Sequence, residues 1–269
     1  MNTQPIGVFD SGVGGLTVLK ALRRTLPAEQ LIYLGDTARL PYGTKSRETV
    51  VRYSINNADF LVEKGVKLLV VACNTASSLS LEELRKRFSI PIIGVIRPGA
   101  EKAALLSKKR KVGVIGTAAT IGSSAYQEAI HDYARDIEVI SVPCPLFVPL
   151  AEEGWFDDDI TRRIVERYLQ PLQEAGIDVL VLGCTHYPLL KPVLTQVMGK
   201  AVDLVDSAES VASQVATSLK AKQLQTSSVD MSPEHNSTFY LTDCSPHFLQ
   251  LGERILGFPL NHTEYVDIG

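Results

Sequence analysis

The sequence predicts an α/β protein of two similar lobes, each a mainly parallel sheet flanked by helices. Three observations lead there. Short continuous apolar runs alternate with amphipathic stretches, the pattern of parallel strands buried on both faces. The strand-and-turn segment Ile6-Gly7-Val8-Phe9-Asp10-Ser11 has a counterpart in Lys111-Val112-Gly113-Val114-Ile115-Gly116-Thr117. Each is followed, at a similar distance, by an apolar run ending in a cysteine: Leu68 to Cys73 in the first half, Val179 to Cys184 in the second.

In chain order, Ile6 to Phe9 reads as a strand that runs into the glycine-rich turn Asp10-Ser11-Gly12-Val13-Gly14-Gly15. A helix follows from about Leu16 to Leu26 and stops before Pro27, because proline cannot continue it. Leu31 to Leu34 is the next strand, followed by a loop from Asp36 to Gly43. A helix covers Ser46 to Lys64, with Gly65 as its cap. The strand Leu68 to Ala72, a helix over Ser80 to Phe88 and a strand over Ile92 to Ile96 complete the first series. Pro98-Gly99 is expected to mark the crossing to the second lobe, and Asp206-Ser207 the return. The lobes are thus expected to comprise 1–97 with 208–269, and 98–207. The tail from Val211 onward reads as helix, polar loop, strand and helix, too small for its own core. The Gln/Ser/Thr-rich stretch Lys220 to Thr238 is the expected surface loop.

Length and composition narrow the function. At 269 residues, 45% hydrophobic and 21% charged, the chain has apolar material for one or two cores. A net charge of −3 gives no reason to expect nucleic acid. No stretch is long and apolar enough for a membrane span, and the first residues lack the features of a secretory signal. Four scattered cysteines (Cys73, Cys144, Cys184, Cys244) do not form a disulfide framework, so a reducing cytoplasm is expected. Three segments invite over-reading. Lys108-Lys109-Arg110-Lys111 is a basic loop before a buried strand, Asn236-Ser237-Thr238 is a glycosylation sequon without meaning unless secreted, and Asp157-Asp158-Asp159 is acidic charge at a helix start.

The Asp10–Gly15 turn sits where open α/β sheets bind ligands, and its free N–H groups suit an anion. It lacks the third glycine of a dinucleotide fingerprint and the lysine of a P-loop. Pro41-Tyr42-Gly43 offers a phenol and backbone N–H groups. The pair Cys73-Asn74-Thr75 and Cys184-Thr185-His186 carries the most. One cysteine at a strand end is ordinarily an inert core residue. Two in equivalent places, each followed by hydrogen-bonding residues, suggest two acid/base groups facing one ligand from opposite sides. There is no second Cys/His pair at zinc spacing and no CxxC, so neither metal binding nor disulfide exchange is expected. A hydrolase with Cys73 as nucleophile and His186 as base stays open on these grounds, as does a binding protein for an acidic amino acid.

With these residues in view the chain resembles the bacterial glutamate racemases of the aspartate/glutamate racemase family along nearly its whole length. The resemblance rests on GVFDSGVGGLTV (Gly7–Val18), GDTARLPYG (Gly35–Gly43), VACNTAS (Val71–Ser77), VIGTAATI (Val114–Ile121), PLFVPLAEEG (Pro145–Gly154) and LGCTHYPLL (Leu182–Leu190). It implies racemisation of glutamate without a cofactor, supplying D-glutamate for peptidoglycan, with aspartate racemase as the alternative within the family. It implies that Cys73 takes the α-proton of D-glutamate and Cys184 that of L-glutamate. It places Asp10 beside Cys73, and Glu152 and His186 beside Cys184, so the two proton transfers have different helpers. Asp10, Ser11, Pro41, Tyr42, Gly43, Asn74, Thr75, Thr117, Thr120, Thr185 and His186 match substrate-contact or supporting positions. A homodimer is the implied assembly. Arg97, in the segment expected to cross between the lobes, is given no catalytic role and is expected either to pair with an acid across the lobe interface or to be exposed.

Overall fold

A computed structural model describes residues 3–226 and 237–269. They form two parallel sheets. The first contains β1 (Ile6–Asp10), β2 (Leu31–Gly35), β3 (Leu68–Val71) and β4 (Ile92–Gly94). The second contains β5 (Lys111–Gly116), β6 (Glu138–Pro143), β7 (Val179–Gly183) and β8 (Asp203–Val205). The chain then returns to the first sheet with β9 (Ser237–Leu241) and β10 (Thr263–Tyr265). The orders are β10-β9-β2-β1-β3-β4 and β6-β5-β7-β8, with every pairing parallel. The segment β2-β1-β3-β4 of one sheet therefore has the same order as β6-β5-β7-β8 of the other. The sequence parallel between the two halves is a parallel of topology.

Both faces of each sheet are covered, as the unbroken apolar strands require. In β1, Ile6 and Val8 enter the core built with the helices Leu16–Thr25, Ala208–Ala221 and Pro246–Leu256, while Phe9 enters the core under the helix Arg47–Glu63. In the second sheet, Val112 and Val114 pack on one side and Ile115 on the other. β1, β3 and β7 are buried along their length, whereas the edge strand β6 is exposed at Glu138, Ser141 and Pro143 and tolerates that proline.

Local chemistry sets the helix ends. Ser46 accepts from the Thr49 N–H and starts Arg47–Glu63, and Gly65 follows that helix with φ +76°. Asp158 of the acidic run accepts from Ile160 and Thr161 and starts the helix Asp159–Ala175. Several expectations need correction. The strand expected over Ile92 to Ile96 ends at Gly94, and Pro98 and Gly99 lie in the first turn of a helix, Ile96–Leu106. Proline needs no donor there, so it starts a helix as readily as it breaks one. A short helix, Asn74–Leu79, begins immediately after Cys73. β10 was missed because it is a polar three-residue edge strand. The surface loop expected at 220–238 includes 227–236, which lie outside the described residues, as does Asn236 of the sequon.

Candidate functional site between the two lobes

The chain reverses between β1 and β3 in the first sheet, and between β5 and β7 in the second. In such sheets, ligand sites form beyond the carboxyl ends of the strands at these switch points. The loops there carry Asp10 to Gly15 after β1, Cys73 to Thr75 after β3, Thr117 to Thr120 after β5, and Cys184 to His186 after β7. They converge across the lobe interface. Thr185 Oγ1 donates to Asp10 Oδ2 at 3.1 Å. The hydroxyls of Thr75, Thr117 and Thr120 form a triangle with sides of 2.9, 3.1 and 3.0 Å. Two glycines allow this approach. A Cβ on Gly14 would lie 2.5 Å from Thr185 Oγ1 and 2.6 Å from His186 Nδ1, and one on Gly43 would lie 2.5 Å from Thr117 Cβ.

The two thiols are buried, 5% exposed for Cys73 and 7% for Cys184, but their surroundings differ. Cys73 caps the helix Asn74–Leu79: its sulfur accepts from the Ala76 N–H at 3.5 Å and lies 3.7 Å from Ser11 Oγ. Burial and the neighbouring Asp10 carboxylate push this thiol up to about 12, against the pull of the Ala76 and Ser11 donors. Asp10 is itself fully buried. Desolvation raises its carboxyl above the ordinary 3.8, opposed by the charge of His186 and by hydrogen bonds that include Gly12 N–H at 2.9 Å. Cys184 lies 3.8 Å from His186 Nδ1, and His186 Nε2 lies 2.5 Å from Glu152 Oε1. Burial pulls His186 down, but its partners Cys184 and Glu152 outweigh that and hold the ring well above 6.5. One thiol thus faces a carboxyl group and the other an imidazolium backed by a carboxylate. A small cavity beside Cys184, lined also by Thr17, Asn74, Thr185 and Ser207, holds about 10 Å³, room for about one water.

This arrangement can remove a proton from one face of a small molecule and deliver one to the other, with N–H and hydroxyl donors around it to hold carboxylates. Comparison with known proteins narrows the class. The family model for Asp/Glu/Hydantoin racemase matches residues 6–215. The chain belongs to that family. It is 51% identical over 268 residues to a glutamate racemase of Geobacter metallireducens, covering 100% of this chain and 98% of that one. Among solved structures, glutamate racemase isoform RacE1 from Bacillus anthracis is 39% identical with a TM-score of 0.93, covering 99% of this chain and 98% of that one. The glutamate racemase of Francisella tularensis, solved in complex with D-glutamate, is 38% identical with a TM-score of 0.92, covering 100% and 99%.

Of the residues expected in the family's site, Asp10, Ser11, Asn74, Thr75, Thr117, Thr120, Thr185, His186 and both cysteines are buried at the lobe interface. Glu152 reaches it from the end of the helix Phe147–Glu152. The Tyr42 phenol bonds to Asp36 and accepts from Asn57 Nδ2 at 2.9 Å, so that side chain braces its own loop, and the Pro41-Tyr42-Gly43 segment approaches the second lobe through Gly43 beside Thr117. Arg97, in the helix Ile96–Leu106, pairs with Asp132 at 2.9 Å on the neighbouring helix Ala125–Tyr133, both side chains half exposed. Sequence reading missed Tyr33, whose hydroxyl donates to the Gly12 carbonyl at 2.5 Å, and Thr17, whose hydroxyl reaches the Thr185 carbonyl at 3.5 Å. It also missed Tyr126, Ser207 and His247, the last bonded to the Glu152 carbonyl. Thr17 lies inside the Gly7–Val18 motif, but the others lie in no motif, and only the partner across the fold reveals them. Among the described residues, no three His, Cys, Asp or Glu side chains gather as a metal site, and no helix is long and apolar enough to cross a membrane.

Proposed function

We propose that this chain interconverts L- and D-glutamate, with Cys73 and Cys184 as opposed acid and base on one α-carbon. The observation that carries the reading is the pair of buried thiols at matching strand ends, each with its own ionisable helper. Nearly full-length identity to glutamate racemases names the substrate. Cys73 acts on D-glutamate and Cys184 on L-glutamate. The α-ammonium settles by Asp10, where its positive charge offsets the carboxylate that holds the Cys73 thiol up. On the other side the His186 imidazolium attracts negative charge developing on the Cys184 sulfur. As one thiolate takes the α-proton, the opposite thiol delivers its own to the other face. Developing charge on the α-carboxylate is met by the hydroxyls of Thr75, Thr117 and Thr120 and by backbone donors of the glycine turns. Neither pyridoxal nor a metal is needed, because the carbanion is quenched as it forms.

Glutamate and aspartate differ by one methylene, which an apolar pocket separates by only about 1–3 kcal/mol. Selectivity therefore rests on donors placed for the distal carboxylate, for which Ser11, the Pro41–Gly43 backbone and Thr185 are the candidates. The lobes open to admit substrate about the segments near residues 97–98 and 207–208, since both thiols are buried. The enzyme works in the cytoplasm as a homodimer, and its D-glutamate goes to peptidoglycan. The test is direct. Cys73→Ala and Cys184→Ala should each remain folded and each abolish racemisation. Full turnover by either variant, or an acyl adduct on one cysteine alone by mass spectrometry, sinks the two-base reading.

A further inference from the structure

One buried hydroxyl touches both lobes and belongs to none of the family motifs. Tyr126 stands in the helix Ala125–Tyr133 of the second lobe and is 3% exposed. Asn74 Nδ2, from the residue after Cys73, donates to its hydroxyl at 2.8 Å. Ser207 Oγ, at the return crossing between β8 and the next helix, lies 3.2 Å from the same hydroxyl. The ring is fixed by two close approaches. A Cβ on Gly183, the residue before Cys184, would lie 3.0 Å from Tyr126 Cε2, and a Cβ on Gly99, in the outgoing crossing helix, would lie 3.4 Å from Cε1. Tyr126 therefore meets both crossing segments and both cysteine-bearing strand ends. Burial keeps its phenol protonated, so the oxygen can accept from Asn74 and donate to Ser207 at the same time.

We propose that Tyr126 is a positioning residue that locks the closed arrangement of the lobes and fixes the Asn74 amide beside Cys73. Asn74 belongs to the first lobe and Tyr126 to the second, so rotation about the crossings must stretch their bond. Opening then leaves the Asn74 amide without its partner, an unfavourable state until water reaches it. Closing restores that bond, while Ser207 at the pivot keeps its contact with the hydroxyl, and sets the amide with its nitrogen committed to Tyr126 and its oxygen free for a cationic group. The hydroxyl thereby couples closure to the geometry of one acid/base group.

Tyr126→Phe removes only the oxygen and keeps the ring packed against Gly183 and Gly99. The first readout needs no catalysis: alkylation of each cysteine by iodoacetamide without substrate, followed peptide by peptide by mass spectrometry. Cys73 and Cys184 should be alkylated about tenfold faster in the variant, the factor that corresponds to about 1.4 kcal/mol. Cys144, buried in the core of the second lobe, should keep its rate and so reports global unfolding. The second readout rests on the racemase reading. Tyr126→Phe should lower kcat/KM about tenfold, and the double variant with Asn74→Ala should lose no more than Asn74→Ala alone. Unchanged alkylation of Cys73 and Cys184, or acceleration of Cys144 alongside them, overturns the proposal. Altered alkylation without any glutamate racemisation by the parent protein would instead overturn the substrate assignment and leave the lock standing.

Discussion

Glu152→Gln should slow this enzyme by a predictable amount and move its pH profile in a predictable direction. The substitution keeps the shape and one hydrogen bond to His186 but removes the negative charge 2.5 Å from Nε2. The pair is well shielded, with side-chain exposures of 3% for His186 and 23% for Glu152. A hydrogen bond between charged partners in such a place is worth about 1.5–3 kcal/mol. If that stabilisation is felt when Cys184 gains or loses its proton, kcat/KM should fall about tenfold to hundredfold. The sign of the pH effect follows from the forces on the ring. Burial pulls His186 down, and its Cys184 and Glu152 partners hold it up. Loss of the carboxylate removes one support, so the alkaline limb of kcat/KM set by this ring should move to lower pH. The loss must be equal for L- and D-glutamate, because mirror-image substrates have an equilibrium constant of unity and every variant must respect it. The different helpers of the two thiols therefore cannot appear as different kcat/KM values. They should appear in isotope effects, which should rise with α-deuterated L-glutamate, the proton taken by Cys184, and stay unchanged with the D-enantiomer. The assay is polarimetry from each enantiomer across neutral and alkaline pH, with and without α-deuteration. A loss below about threefold with the alkaline limb unmoved would refute the coupling of Glu152 to Cys184 through His186.

Two further variants probe the first lobe. Asp10→Asn should cost activity yet stabilise the fold, because burial raises the Asp10 carboxyl above 3.8. A group raised on folding contributes stability below its unfolded value and loses it as pH climbs through the folded one, so at neutral pH the ionised carboxylate is a liability. An amide can keep the contacts to Gly12 and Thr185, and calorimetry at pH 7 should show Tm rising by about 2–4 °C; a fall in Tm would contradict the direction of the shift. Gly14→Ala should abolish turnover, since its methyl group would press on Thr185 and His186 at 2.5 and 2.6 Å. Circular dichroism should remain native, and ordinary kinetics in this variant would mean that the lobes need not approach as closely as described.

How far the sequence could be read depended on the range of the interaction. β1, β3, β5 and β7 were legible because a parallel strand buried on both faces leaves a continuous apolar run, and their ends then located Cys73 and Cys184. β6 and β10 were not, because an edge strand half open to water carries polar residues that look like loop. Pro98 misled because proline at a helix start and proline in a linker are spelled alike. In the site, residues adjacent in sequence to a glycine turn or a thiol announced themselves. Tyr42 announced itself too, but its phenol points to Asp36, a partner that no local pattern reveals. Tyr126 and Ser207 stayed hidden because their significance lies in Asn74, across the interface.

The most direct test of two opposed bases is where deuterium first appears. Each enantiomer of glutamate should be incubated with the enzyme in D₂O, and the remaining substrate and the early product separated and examined for α-deuterium. Two thiols on opposite faces predict a product that is deuterated from the first turnover, while unreacted substrate keeps its α-proton. Deuterium entering the recovered substrate as fast as the product would mean that a single group serves both faces, and would contradict the account.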